Sequence, residues 1–180
     1  KLHGRGKLAW ANGTVYEGEF AHGLMSGRGE IAYADGRSYR GEFERGSFHG
    51  RGRFESPDGE VHEGRFHKHE FSGRGTLSRR DGSRYEGEFV NWRFHGQGRF
   101  TDSGGNLYEG TFVNGEFEGR GQLSGPSGNR YEGEFKQWRS HGHGVLRFAN
   151  GDVYRGGFAN GLYEGEGTYT YAKPRPDGRT

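Results

Sequence analysis

The sequence of 180 residues contains no cysteine and no long apolar run. The absence of cysteine excludes a disulfide framework and a thiolate metal site. No stretch approaches the roughly 18 consecutive apolar residues that a membrane-spanning helix needs. Lysine and arginine number 26 against 24 aspartate and glutamate residues, so the charge balance gives no strong indication of nucleic-acid binding.

Aliphatic residues are also scarce, and only 28% of the chain is hydrophobic. Low hydrophobicity with high charge is typical of disordered chains. However, the chain contains 14 Phe, 10 Tyr and 3 Trp residues, together with 38 Gly. A chain with few aliphatic residues can fold when each short unit buries a few large rings against its neighbour. We therefore expect an ordered structure without a globular core.

Two motifs recur every 23 residues along the chain. The first is Tyr-x-Gly-x-aromatic, as in Tyr16–Phe20, and one copy begins with His62 in place of Tyr. The second is Gly-x-Gly, as in Gly4 and Gly6, which occurs eight times. A fixed period between about 20 and 50 residues indicates a repeat architecture.

Each repeat is predicted to form a β-hairpin. Gly and apolar residues alternate with polar residues on both sides of a turn Gly, which is the pattern of two strands joined by a tight loop. In the first repeat, a three-residue loop over Ala11–Gly13 pairs Leu8 with Tyr16. A two-residue loop would instead set Leu8 opposite Glu17 and mix the two faces of the sheet.

The charges on the polar face support this register. Arg5 is predicted to lie opposite Glu19, and the same pairing recurs in three further hairpins: Arg28–Glu42, Arg74–Glu88 and Arg120–Glu134. Arg51 opposite Arg65 is the one misfit. An exposed cross-strand pair contributes about 0.2–1 kcal/mol, so these pairs fix the register more than they stabilise the fold. We interpret the Gly-Arg-Gly segments as a solvated face rather than an RNA-binding tract.

The linkers between hairpins are predicted to pair Phe20 with Gly27 and Tyr16 with Ile31, which joins the hairpins into one antiparallel sheet. The apolar face then carries a central row of Gly, which indicates close approach by other groups. We expect aromatic rings of the linkers to pack on these glycines: Phe48, Phe71, Phe94, Phe117 and Tyr163. Three linkers carry His69, Trp92 or Trp138 where the others have Gly. Because a Gly there favours a turn with positive φ, we expect these three linkers to bend differently.

Together, the Tyr-x-Gly-x-aromatic motif, the linker, Gly-x-Gly and the turn Gly resemble the MORN repeat. The resemblance covers residues 1–180 as a single array of seven full repeats and the start of an eighth, and we interpret the chain as a fragment of a longer array. It implies an all-β fold, an elongated and twisted single-layer antiparallel sheet of tandem hairpins, with no enzymatic activity and no cofactor. MORN arrays occur beside other domains in junctional membrane proteins, phosphatidylinositol phosphate kinases and a SET methyltransferase, and alone in scaffold proteins of protist cytoskeletons.

With no other domain present, the chain is most similar to the all-MORN scaffolds, whose C-terminal repeats are implicated in homodimerisation. The resemblance thus implies a cytoplasmic, self-associating scaffold with cytoskeletal or cortical protein partners. The strand at Thr168–Tyr171 is a candidate open edge, and open edges favour pairing with another chain. The candidate dimer residues are Trp138, Phe148, Tyr154, Tyr163, Tyr169 and Tyr171.

Candidate protein-binding residues lie on the unusual linkers. Trp is enriched at binding hot spots, which favours Trp92 and its neighbours Phe94 and Phe71. The alternative is that these rings pack over their own linker.

An alternative function is the binding of acidic phospholipids such as phosphoinositides, by which a MORN module would target a membrane. It would depend on basic residues without predicted partners, namely Arg65, Lys68, Arg79, Arg80 and Arg93. The spacing of His67 with His69 and of His141 with His143 could begin a zinc site, but further ligands are not evident and we predict no metal. No catalytic motif is present, and we expect no enzyme.

Overall fold

The computed structural model describes residues 1–173, which contain β-strands, turns and no helix. Residues 174–180 of the predicted array lie outside the described residues. The described residues divide into two compact units, one of residues 1–93 and one that begins at residue 94. Within each unit, consecutive strands pair antiparallel in chain order in a single layer. The prediction of an all-β fold of tandem hairpins is confirmed.

The first unit contains eight strands that alternate between short and long members. They are β1 (Gly4–Ala9), β2 (Val15–Ala21), β3 (Leu24–Ala32), β4 (Ser38–Glu44), β5 (Ser47–Glu55), β6 (Val61–His67), β7 (Glu70–Ser78) and β8 (Arg84–Val90). The second unit repeats the alternation. Its strands are β9 (Arg93–Thr101), β10 (Leu107–Val113), β11 (Glu116–Ser124), β12 (Arg130–Lys136), β13 (Arg139–Arg147), β14 (Val153–Ala159) and β15 (Leu162–Thr170).

The loop inside each repeat has the predicted length and register. Leu8 pairs with Tyr16, and the loop is closed by two hydrogen bonds, from Gly13 N to Trp10 O at 3.0 Å and from Trp10 N to Thr14 O at 2.9 Å. Gly13 has φ 90°, the left-handed conformation that a three-residue hairpin loop requires. The turn Gly of each later repeat is likewise left-handed: Gly36, Gly59, Gly82, Gly105, Gly128 and Gly151.

The connection between hairpins is tighter than the sequence suggested. Ala21 pairs with Leu24, which leaves only His22 and Gly23 in the turn, with φ 54° and 86°. Positive φ at both central residues defines a type I′ turn, whose twist matches that of the flanking strands. Each linker therefore closes with a two-residue turn, rather than with the six-residue loop between Phe20 and Gly27 that the predicted pairing implies.

A β-bulge compensates for the extra paired residues. Phe20 pairs with Met25, whereas Gly18 pairs with Gly29, so the register shifts by two residues at Gly27, which has φ 62°. The predicted pairing of Phe20 with Gly27 is wrong for this reason, although the predicted pairing of Tyr16 with Ile31 is confirmed. The bulge restores the register after the tight turn.

The prediction that three linkers bend differently is also wrong. His69, Trp92 and Trp138 take φ 68°, 66° and 67°, and so keep the type I′ turn at a position where other repeats use Gly. The N–H at this position donates to a carbonyl of the preceding linker, as in Trp92 N to Phe71 O at 2.9 Å and Gly46 N to Met25 O at 2.8 Å. The same bond forms with or without Gly, and it fixes the backbone direction at every turn.

The core consists of rings laid on the glycine pairs. The ring of Tyr16 lies against Gly18 and Gly29, where a Cβ would collide with it, and its hydroxyl donates to Glu19 O at 2.8 Å. The Tyr ring lies on the glycines in the same way in three further repeats: Tyr39, Tyr131 and Tyr154. In these repeats the ring that packs on the glycine pair belongs to the repeat's own Tyr and not to the linker.

Linker rings occupy the glycine pairs in two other repeats. Phe71 lies against Gly64 and Gly75, and Phe117 takes the corresponding place in the second unit. In the Tyr repeats the linker ring instead covers the tyrosine, as Phe48 does by stacking on Tyr39 with ring centroids 3.8 Å apart. The predicted role of linker rings is therefore correct at Phe71 and Phe117 and wrong at Phe48 and Tyr163.

Candidate functional site

Glu side chains on the polar face close the β-bulges. The Glu19 carboxylate accepts a hydrogen bond from the backbone N–H of Arg28 at 3.1 Å, and Glu42 accepts one from Arg51 N at 3.0 Å. In the second unit, Glu134 accepts from His143 N at 3.3 Å. The Gly before each donor is left-handed, so the bulge presents its N–H outward to an anion. Three bulges thus bind a carboxylate of the same chain.

This geometry corrects the predicted arginine–glutamate pairs. The predicted Cα register is confirmed, as in Arg28 opposite Glu42. Yet among residues 1–173 no ion pair involves the Arg of any Gly-Arg-Gly segment. Three of the predicted partners, Glu19, Glu42 and Glu134, turn to the bulge instead. The arginines without an ion pair are Arg5, Arg28, Arg51, Arg74 and Arg120. In the first unit, Arg5, Arg28, Arg51 and Arg74 form a row with one guanidinium per hairpin.

Three repeats lack the Glu that closes the bulge. Arg65 replaces it in the first unit, and Thr111 and Gly157 replace it in the second. Open space surrounds the bulge glycines that follow, Gly73 and Gly119, whereas at Gly50 the Glu42 carboxylate fills that space. In the second unit, Gln97 Nε2 donates to Thr111 Oγ1 at 2.9 Å. At the bulge of Gly73, by contrast, the position of the closing Glu is held by Arg65, so no carboxylate fills the space.

The polar face forms a groove in each unit. In the first unit the groove has a volume of about 780 Å³ and is lined by four Arg and three Glu residues: Arg5, Arg28, Arg40, Arg51, Glu17, Glu30 and Glu42. Two of these acids are engaged by bases, since Glu17 pairs with Lys7 at 3.7 Å and Glu30 with Arg40 at 3.2 Å. Arg5, Arg28 and Arg51 remain without ion pairs in this groove, which is thus locally cationic.

The groove of the second unit differs in charge. It has a volume of about 950 Å³ and is lined by two Arg and three Glu residues: Arg120, Arg155, Glu109, Glu132 and Glu134. Gln97 and His143 stand where the first unit has arginines. The two grooves share a backbone pattern, but only the first has more arginine than glutamate.

Trp92 caps an aromatic cluster on the apolar face of the first unit. Its indole lies 5.0 Å from the ring of His62, 5.2 Å from Phe54, 5.7 Å from Phe66 and 5.6 Å from Phe71 between ring centroids. This packing offsets the cost of a left-handed Trp, which is about 1–2 kcal/mol per residue. The side chain remains half-buried.

Trp138 caps the equivalent cluster of the second unit. Its indole lies between 5.2 and 6.0 Å from four rings at the same repeat positions: Phe100, Tyr108, Phe112 and Phe117. In both clusters the linker Phe lies on the glycine pair, so the residue at the Tyr position packs against the Trp.

The sequence profile of the MORN repeat matches eight consecutive segments of the chain: residues 1–15, 16–36, 39–61, 62–84, 85–107, 108–130, 131–153 and 154–173. The chain is a MORN-repeat protein. The hairpins, the type I′ turns and the ring-covered glycine pairs described above are the structure of its MORN repeats. Membership of this family identifies the chain as a repeat scaffold.

The chain is similar to solved structures at low sequence identity. The TCP domain of SAS-4 from Drosophila melanogaster, solved in complex with a proline-rich motif of Ana2, matches with a TM-score of 0.51 and 10% identity over 84% of this chain and 83% of that chain. The E1021V mutant of the TCP10 domain of CPAP from Danio rerio matches with a TM-score of 0.43 and 17% identity over 94% of this chain and 90% of that chain. No curated protein sequence matches significantly. The likeness to the SAS-4 domain supports the β-fold of the MORN repeats.

The predicted dimer residues occupy different environments in the last repeats. Tyr163 and Tyr169 are exposed on β15, and the Tyr169 hydroxyl donates to Asp152 Oδ2 at 2.9 Å. Tyr154 is buried on its glycine pair, and Trp138 belongs to the cluster described above. Phe148 and Tyr171 both pack against Tyr169, with ring centroids 5.7 and 4.7 Å away. The exposed tyrosines are therefore grouped on β15, while Tyr154 is a core residue.

The predicted protein-binding residues divide in the same way. Trp92 is half-buried, whereas Phe71 and Phe94 are buried. Phe71 packs under Trp92, and Phe94 packs against Phe100 with ring centroids 5.8 Å apart. Of these three MORN residues, only Trp92 presents part of its ring at the surface.

The basic residues predicted to bind lipid are exposed with one exception. Arg65, Lys68, Arg80 and Arg93 are exposed, but Arg79 is half-buried and its Nε bonds to Glu60 Oε1 at 2.5 Å. The description of Arg79 as unpaired is therefore wrong. Glu60 follows the loop of the preceding MORN repeat, 19 residues before Arg79. Predictions made within one hairpin do not include contacts between the loops of successive repeats.

The paired histidines do not converge on a common site. His67 packs on His49 with ring centroids 5.3 Å apart, while the Nδ1 atom of His69 accepts a hydrogen bond from Phe48 N at 3.4 Å. Across residues 1–173, no group of three or more metal-ligating side chains is found. In the same part of the chain, no helix is long and apolar enough to cross a membrane.

Proposed function

We propose that this MORN array is a non-catalytic scaffold that self-associates through β15 and acts in the cytoplasm, at the cytoskeleton or the cell cortex. The proposal rests on one observation: all nine residues of β15 are exposed. Tyr163 is 51% exposed, whereas Phe48, Phe71 and Phe117, at the same repeat position, are at most 5% exposed. Covering β15 with a second copy would bury this ring.

The sequence of β15 suits pairing with another strand. Leu162–Thr170 contains no Lys and no Pro, the residues with which proteins commonly block a free edge. Two copies of β15 can pair antiparallel with Gly167 opposite Gly167 of the other copy. This register sets Gly165 opposite Tyr169, which reproduces the ring-opposite-glycine pairing of Phe43 with Gly27 within the chain. It also avoids setting Glu166 opposite itself.

The test is the molar mass of the chain in solution, measured by light scattering with the shape from small-angle X-ray scattering. We expect twice the chain mass for the wild type and a single chain mass for the double variant Leu162→Lys with Tyr163→Lys. The matched control is Leu24→Lys, the same repeat position on β3, where the side chain is 49% exposed. A wild-type protein with a single chain mass, or a double variant that stays dimeric, would overturn self-association through β15.

Protein partners are part of this proposal. The TCP domain that shares this fold was solved with a proline-rich motif of Ana2. Trp92 and Trp138 each present part of an indole above an aromatic cluster, which suits an anchoring contact with a partner segment. A partner captured by the wild type should lose binding in a Trp92→Leu variant and keep it in Leu24→Lys.

Binding of acidic phospholipids is a second candidate. It is supported by Arg65, Lys68, Arg80 and Arg93, which are exposed and form no ion pair among the described residues. Co-sedimentation with phosphatidylcholine vesicles, with and without phosphatidylinositol 4,5-bisphosphate, tests it. Binding only to the acidic vesicles, lost when Arg80 and Arg93 are changed to Gln, would support it, and equal binding to both kinds of vesicle would contradict it.

A further inference from the structure

The bulge at Gly73 is the counterpart of three bulges that bind a Glu carboxylate, but it lacks that Glu. At Gly27 and Gly50 the following backbone N–H binds a Glu carboxylate from the preceding strand. At Gly73, which has φ 84°, the residue in the place of that Glu is Arg65. The following N–H belongs to Arg74, and both Gly73 and Arg74 are exposed. An outside carboxylate could therefore reach this N–H.

The side chains around this bulge add positive charge. Arg65 lies opposite Arg51 in the sheet, and like charges directly opposite each other destabilise a strand pair. Arg74 lies opposite Glu88, but no ion pair forms between them. The nearby Glu63 is engaged by Arg53 at 3.1 Å. Arg51, Arg65 and Arg74 thus lie on neighbouring strands at the bulge, and none of them forms an ion pair among the described residues.

Arg74 extends the row of arginines that lines the groove of the first unit. Arg5, Arg28, Arg51 and Arg74 are each two strands apart, which is about 10 Å at a strand spacing of about 4.8 Å. A segment in the extended polyproline II conformation advances about 3.1 Å per residue with three residues per turn, so acidic residues at every third position share one face and match this spacing. Charge-assisted hydrogen bonds between guanidinium and carboxylate groups are strong and directional.

We propose that the groove of the first unit, together with the bulge of Gly73 beyond it, binds an extended acidic segment of a partner protein, with acidic residues at every third position. One carboxylate of that segment binds the N–H of Arg74 between Arg51 and Arg65, as the Glu42 carboxylate binds the N–H of Arg51. Further carboxylates pair with Arg28 and Arg5. This surface is separate from β15, so the proposal does not depend on self-association.

The second unit provides an internal contrast. Thr111 also lacks the carboxylate, but it is hydrogen-bonded to Gln97 rather than surrounded by arginines. The groove there carries three Glu against two Arg residues and should not attract an acidic segment. The site is thus specific to the repeat in which Arg65 replaces the Glu, since there an added positive charge coincides with the loss of a carboxylate.

The test is fluorescence anisotropy of a labelled peptide that repeats Glu-Gly-Ser four times, titrated with the full chain at low salt. The comparison peptide has the same composition with its glutamates in one block. We expect the spaced peptide to bind at least about tenfold more tightly and both to weaken as salt is added. Equal binding of the two peptides, or no binding of either, would overturn the proposal.

The decisive variant is Arg65→Glu, which restores the carboxylate found in other repeats. It should be at least as stable as the wild type, because it removes the like-charge pair with Arg51 and closes the bulge. We expect it to bind the spaced peptide about tenfold more weakly or worse. The matched control is Thr111→Glu, which restores the carboxylate in the second unit and should leave binding unchanged.

Other outcomes separate the ligand classes. If Arg65→Glu binds like the wild type, or Thr111→Glu weakens binding equally, the bulge of Gly73 is not the site. Displacement of the peptide by an equimolar amount of inorganic phosphate would show a single anion site and overturn the groove as the docking surface. The double variant Leu162→Lys with Tyr163→Lys should bind the peptide normally, so failure of dimerisation and failure of this proposal are distinguishable.

Discussion

The imidazole of His62 packs against the indole of Trp92, with ring centroids 5.0 Å apart. In four other MORN repeats the residue at the His62 position is a Tyr that lies on its glycine pair. Here Phe71 occupies the glycine pair, so His62 is held between Phe71 and Trp92. The Nδ1 atom of His62 is buried without a hydrogen-bond partner among the described residues.

The buried His62 should make the first unit sensitive to acid. Burial lowers the pKa of this imidazole below its usual value. The unfolded chain therefore takes up a proton near pH 6.5 while the folded chain does not, so stability is full above that pH and falls as the pH drops. Thermal unfolding between pH 8 and pH 5 should show the loss, and a His62→Phe variant should show less of it. An equal acid dependence in the two proteins would contradict this role.

Substitution at Trp92 should separate backbone strain from ring packing. Trp92→Ala loses the contacts with the cluster and keeps a side chain at φ 66°, whereas Trp92→Gly loses the contacts and relieves the strain. We expect both variants to be destabilised, with the Gly variant more stable than the Ala variant by about 1 kcal/mol. Urea unfolding measures the difference. As a control, Gly115→Ala at the same turn position should cost a similar amount, and an Ala variant of Trp92 more stable than the Gly variant would refute the account.

The glycine pairs should tolerate no side chain where a ring lies on them. A Cβ at Gly52 would collide with the ring and hydroxyl of Tyr39, whereas a Cβ at Gly6 would make ordinary contact with Phe20 at 3.5 Å. We expect Gly52→Ala to cost about 3 kcal/mol and Gly6→Ala less than about 1 kcal/mol. Denaturant unfolding of the two variants tests this, and similar losses would show that the ring can move away.

Buried tyrosines should make the fold sensitive to alkali. Burial, aided by the nearby Glu134, raises the pKa of Tyr131 to about 12, and burial also raises the pKa of Tyr16 and Tyr39. The unfolded chain releases these protons near pH 10, so their contribution is full below about pH 10 and is lost as the pH rises toward 12. Circular dichroism during an alkaline titration should show cooperative unfolding in this window. Tyrosine ionisation measured by absorbance should coincide with it, and ionisation near pH 10 without unfolding would contradict the prediction.

The sequence predicted the hairpin inside each repeat because its loop and its alternation agree. Leu8 faces Tyr16, as the parity of the apolar residues requires. The linker was not predictable by the same parity, because the bulge at Gly27 shifts the register by two residues and a two-residue shift leaves the alternation unchanged. Nor did the presence of Trp92 in place of Gly reveal a left-handed turn, since the packing that offsets its strain comes from residues of the preceding repeat.

The polar face was predictable in register but not in contacts. Opposite positions for Arg28 and Glu42 follow from the pairing, and the sequence therefore favoured an ion pair. The position of a bulge cannot be read from the residue types, so the sequence did not predict that the backbone N–H of Arg51 would compete with Arg28 for the Glu42 carboxylate. The absence of Glu at Arg65 and Thr111 was visible in the repeats, and it becomes meaningful only once the bulge is known.

Within each unit, every strand pairs with the strands before and after it in the chain. Contacts between chain neighbours have low contact order, which favours fast folding. A growing polypeptide could therefore add one hairpin at a time to the edge formed by the previous one, without waiting for distant segments. A ribosome would release such a protein already folded over most of its length, and the strand made last would be the last to find a neighbour.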